Sequence, residues 1–113
     1  MATDTAFEAH LAFSGKIAAL HLRGDLRDGD TARLRELLDG IAAGAVRRVV
    51  LHMADVTSVT GAVVRCLALG QQGLAPGTEV IVDGAAFPVR RALRLGGLAP
   101  FVCLVDAALA PAG

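Results

Sequence analysis

A chain of 113 residues suits one domain, which at this size buries roughly two thirds of its unfolded surface. Eleven basic and eleven acidic side chains cancel, so total charge favours neither nucleic acid nor an anionic membrane as a partner. Hydrophobic residues reach 54%, yet no apolar run approaches the ~18 residues of a spanning helix. The opening MATDTAFEAH lacks the basic and apolar regions of a signal peptide. A cytoplasmic protein without membrane insertion is therefore expected, with residues 1–5 and 110–113 frayed around a single domain spanning 1–113. All basic residues but Lys16 are arginine, which together with the Ala, Gly and Leu content fits a GC-rich bacterial genome.

FEAHLAF and KIAALHLRG read as two strands of a hairpin joined at Ser14-Gly15. In the second, Ala18, Leu20 and Leu22 point one way and Ala19, His21 and Arg23 the other. The period then changes: Leu34, Leu37, Leu38 and Ile41 follow helical spacing. Asp28 and Asp30 stand where they can cap that helix's exposed amides or favour its positive end, and Gly44 offers a left-handed exit. VRRVVLHM is a mostly apolar strand, as expected of a parallel strand partly covered on both faces. A helix from about Thr60 to Gln72 follows. TEVIVDG is a further strand, entered through APGT, and FPVRRALRLGGL a helix with Pro88 in its first turn and Gly96-Gly97 at its end. In that helix Val89 and Leu93 share a face while Arg90, Arg91 and Arg94 point to water. FVCLV is the last strand, and DAALA allows a final helical turn. The order βαβαβαβ after a hairpin predicts an α/β fold with a mixed, mostly parallel sheet of about five strands and three to four helices. Its parallel strands should end near Arg23, Met53, Asp83 and Val105, placing the loops after the first two on one surface.

Catalytic and cofactor signatures are absent: there is no GxGxxG, Walker loop, HExxH or GxSxG. Cys66 and Cys103 lie in apolar segments without metal-ligand spacing, which reads as buried reduced thiols. His10, His21 and His52 are isolated in sequence, and His21 and His52, on strands, read as solvent-facing or hydrogen-bonded. Four phenylalanines are the only aromatics, too few for a platform of stacked bases. No enzyme and no cofactor is expected.

The helix in LHMADVTSVTGAVVRCLALG is apolar on more than the one stripe that a sheet can cover. If Val63, Cys66 and Leu67 face the sheet, Val64 and Ala68, with Arg65 at the edge, form a surplus stripe for a partner; full burial beneath neighbouring loops and contact with a second copy in a homodimer are the alternatives.

The succession IAALHLRGDLRDGDTARLRELLDGI, VRRVVLHMADVTSVTGAVVRCLAL and TEVIVDGAAFPVRRALRLGGLAPFVCLV resembles the STAS domain of bacterial anti-sigma factor antagonists, with the SpoIIAA-like fold. The resemblance implies docking on an anti-sigma factor of the serine kinase type, so that a sigma factor is released. Gly24, Asp25, Leu26, Arg27 and Asp28 in one loop, and Thr57, Ser58, Val59, Thr60, Gly61 and Ala62 in the other, are the implied contact residues, with Val64, Arg65 and Ala68 of the helix. The family's switch is a serine phosphorylated by the partner kinase, and the added charge opposes docking. In an ungapped alignment that serine falls on Gly61, the acid before it on Thr60, and the acidic end of the family's Gly-Glu-Leu-Asp motif on Arg27, with Asp28 one step later. Thr60 and Ser58 are displaced hydroxyls that equally suit hydrogen bonding at a helix entrance. A regulatory subunit of a transporter or sensory assembly, and a nucleotide or small-molecule sensor, are the alternative readings.

Overall fold

The computed structural model describes residues 7–98 and the backbone of 103–105. The expected final turn in DAALA, the fraying expected at residues 1–5 and 110–113, and the Cys103 side chain lie outside the described residues. Strands β1 (Glu8–Ser14), β2 (Ile17–Leu26), β3 (Arg48–Val59), β4 (Glu79–Asp83) and β5 (Cys103–Val105) form one sheet in that order. β1 is antiparallel to β2, and every later pair is parallel. Helices α1 (Thr31–Ala43), α2 (Gly61–Gln72) and α3 (Phe87–Leu95) fill the three crossovers. Among the described residues no helix is long and apolar enough to cross a membrane.

The period-two pattern decides which face the helices cover. Ala18, Leu20 and Leu22 of β2, Val49, Leu51 and Met53 of β3, and Val80 and Val82 of β4 are buried in one core with Leu34, Leu38 and Ile41 of α1 and Val89 and Leu93 of α3. Each such leucine or isoleucine contributes roughly 1.5–3 kcal/mol relative to exposure. Among the described residues no helix lies on the opposite face. There the strand register lines up His10, His21, His52 and Asp83 across four strands. The His21 and His52 rings stack at 4.2 Å, and His52 Nδ1 lies 3.1 Å from Asp83 Oδ2.

Local details differ from the sequence reading in three places. The hairpin turn is Gly15-Lys16, with Ser14 already paired to Ile17. α1 leaves through Gly44 in right-handed geometry, and the positive φ falls on Ala45 at 51°. β2 and β3 extend past Arg23 and Met53 to Leu26 and Val59, because two register shifts between them keep the pairing going.

Candidate functional site

Those shifts build the site. Arg23 pairs with Asp55 and Gly24 with Val56, but Asp25 pairs with Ser58, so Thr57 is an extra residue in β3. In a regular strand Thr57 and Ser58 would point to opposite faces. A bulge re-aims side chains, and here both hydroxyls donate to Asp25 Oδ1, Ser58 at 3.0 Å. Gly24 accompanies the irregularity at φ 89°, a conformation that costs other residues more. Arg27 closes the group by donating from Nη2 to Asp25 Oδ2 at 3.2 Å. The loop after β2 and the end of β3 are thereby tied together at one end of the sheet.

The two helix entrances beside this cluster are made differently. Asp28–Asp30 form a 3-10 turn ahead of α1. The Asp30 carboxylate accepts from the Arg27 amide at 2.9 Å, and Thr31 Oγ1 donates to the Asp28 carbonyl at 2.9 Å. Against the expectation from spacing, the two aspartates therefore brace the loop and do not cap the amides of α1. α2 is capped by Thr60, whose Oγ1 accepts from the Val63 amide at 3.3 Å. Ser58 is not a cap; Asp25 holds it.

α2 turns its faces otherwise than its sequence suggests. Val63 and Leu67 are buried in the core, but Cys66 turns to α1, its Sγ 3.6 Å from the Thr31 carbonyl oxygen. Burial pushes the Cys66 thiol up from its ordinary range, against the pull of Arg35 and with the help of Asp39. Val64 is 3% exposed, so it forms no surface stripe. α3 covers it, and a Cβ added at Gly96 would overlap Val64 Cγ1. Ala62 and Ala68 are half-buried, and the outward residues are Gly61, Arg65, Leu69 and, at the last position, Gln72. Leu69 is 55% exposed, and the sequence does not mark it, because in a helix apolar all round only the positions of α1 and α3 decide which side is left over. Thr31, Ala32, Arg35, Ala62, Cys66 and Leu69 line a shallow hollow of about 500 Å³ between α1 and α2.

Of the other residues singled out in sequence, Gly24 and Leu26 are buried, and they position the loop without presenting side chains. Arg27, Asp28, Thr57 and Ser58 are exposed, while Asp25, Val59 and Thr60 are half-buried. Gly61, at the entrance of α2, is exposed and open: the nearest atom that an added Cβ would meet is Arg65 Nη1, at 3.9 Å. Among the described residues no three His, Cys, Asp or Glu side chains converge as metal ligands.

The fold is shared with solved structures. An anti-sigma factor antagonist from Mycobacterium paratuberculosis superposes with a TM-score of 0.80 at 16% identity, over 88% of this chain and 86% of that one. Bacillus SpoIIAA in its phosphorylated form gives 0.69 at 18%, over 90% and 91%. A variant of RsbS from Moorella thermoacetica gives 0.68 at 18%, over 85% and 84%. No curated protein sequence matches the chain. The family described as Mlab, STAS domain matches residues 9–106, which take in all of the sheet and helices described above but the first residue of β1, and the protein belongs to this STAS-domain family.

Proposed function

We propose that this STAS domain acts by binding and not by catalysis, as an antagonist that docks on a kinase-type anti-sigma factor and releases a sigma factor. Its docking surface is the end of the sheet where Arg27, Asp28, Thr57 and Ser58 meet the outward side of α2, with Ala62, Arg65 and Leu69. The observation that carries this reading is that side of α2: an exposed leucine on the helix whose other sides are packed against α1, α3 and the sheet. An apolar side chain so placed, rimmed by polar groups, suits a protein contact.

The same surface is not switched by phosphate in the family's usual way. Gly61 has no hydroxyl, Thr60 Oγ1 is engaged by the Val63 amide, and Ser58 is held on the Asp25 carboxylate. A phosphate on Ser58 would also stand beside that carboxylate and be repelled by it. The lack of a hydroxyl at Gly61 equally suits a subunit of a transporter or sensory assembly, where docking needs no kinase.

The test is intact mass after incubation with the kinase anti-sigma factor and ATP, alongside binding of wild type and Leu69→Asp. Wild type should bind and stay unmodified, and Leu69→Asp should lose about 2 kcal/mol or more of affinity, as expected of a charge forced into an apolar contact. Stoichiometric phosphate on Thr60 or Ser58 would overturn the unswitched reading. Unchanged binding by Leu69→Asp would remove α2 from the interface.

A further inference from the structure

The chain is neutral as a whole but not in its parts. α2 and α3 carry Arg65, Arg90, Arg91 and Arg94 and no carboxylate. The 3-10 turn and α1 hold Asp28, Asp30, Glu36 and Asp39 against Arg33 and Arg35. The ion pairs among the described residues lie elsewhere, at Arg23–Glu8, Arg27–Asp25, Arg33–Glu36, Arg48–Glu79 and His52–Asp83. The four arginines of α2 and α3 take part in none of them.

α3 adds a second feature. Val89 and Leu93 bury its inner side, which leaves Phe87 at 69% and Leu95 at 76% exposure, the two most exposed large apolar side chains among the described residues. At about 100° per residue and 1.5 Å of rise, Arg91 projects between them, and Arg94 lies at the Leu95 end, turned toward the Phe87 side of the stripe. The outer face of α3 is thus a stripe with apolar ends about 12 Å apart and a cationic middle.

Scattered exposed apolar residues need no partner, but guanidinium groups outside every ion pair among the described residues, beside a phenylalanine and a leucine, ask for a particular complement. Guanidinium meets carboxylate in a planar, two-bonded geometry. We propose that the outer face of α3 is a docking surface for an acidic amphipathic segment of a partner protein. Its carboxylates meet Arg91 and Arg94, and its apolar side chains cover Phe87 and Leu95. A lipid surface fits less well, because an interfacial helix keeps its basic residues apart from a continuous apolar face, and here Arg91 interrupts that face at its centre. This surface shares no residue with the loop site, so either can fail alone.

The experiment uses the full chain labelled with nitrogen-15 and an amphipathic helical peptide of leucine and glutamate. A lysine-for-glutamate peptide and phosphatidylglycerol vesicles are the comparison arms. The acidic peptide should shift the amide signals of Phe87–Leu95 and bind more weakly as salt is raised, and the lysine peptide should not bind. Arg91→Glu combined with Arg94→Glu should weaken binding about tenfold or more at an unchanged melting temperature, since both residues are exposed. Phe87→Ser should weaken binding without altering its salt dependence. The proposal is overturned if the peptide leaves the α3 signals unmoved, if it binds the charge-reversed variant equally well, or if α3 binds the vesicles in preference to the peptide.

Discussion

The outer sides of two neighbouring helices, α2 and α3, are built on opposite plans. α2 is apolar almost all round, and its exposed side is whatever α1 and α3 leave uncovered: Leu69, Arg65 and Ala62. α3 is sharply amphipathic, and its exposed side carries Phe87, Arg91, Arg94 and Leu95 by its own periodicity. The difference teaches that an outward residue on α2 is a tertiary property, whereas on α3 it is a local one. The helices meet where Gly96 approaches Val64, and that contact is what turns Val64 into core and leaves Leu69 outside.

Substitutions at that contact break the comparison most severely. Val64→Asp would place an unpaired charge beneath α3 and should cost more than about 4 kcal/mol, so denaturant unfolding should find the variant largely unfolded. Gly96→Ala would push a methyl group into Val64 and should cost about 1–3 kcal/mol, the usual range for overpacking, read as a lower midpoint at unchanged slope. Thr60→Ala removes the cap of α2 while leaving both outer faces intact, and a loss of about 1 kcal/mol is expected. Leu69→Asp and Arg91→Glu lie outside the core and should each change stability by less than about 0.5 kcal/mol. A large loss from Leu69→Asp would mean that α2 is more enclosed than its exposure indicates. Cys66 sharpens the same distinction without altering stability: its buried, less acidic thiol should alkylate slowly at neutral pH in the folded protein and quickly in denaturant, as peptide mass mapping would show.

Much of this is legible in the residues. The spacing of Leu34, Leu38 and Ile41 places the inner face of α1, and that of Val89 and Leu93 the inner face of α3, because each helix has one apolar side. The same logic sends Val64 to the surface, and there it fails: a helix without a polar side has no marked orientation. The polar cluster is hidden for another reason. Thr57 and Ser58 share Asp25 only because β3 bulges, and a bulge follows from two strands meeting, which neither strand announces. The alignment of His10, His21, His52 and Asp83 is likewise a matter of register. In the chain they are four unrelated positions.

The sheet's spatial order is the same as its order in the chain, and this bears on how the domain is made. Every strand pairs with the one synthesised immediately before it, so no part of the sheet has to wait for a distant segment to arrive. The hairpin can form first and each βα unit can then add to an existing edge as it leaves the ribosome, in the direction of synthesis. Assembly by successive additions also keeps loop closure short at every step. The last strand, β5, is the natural place for such a domain to come apart first.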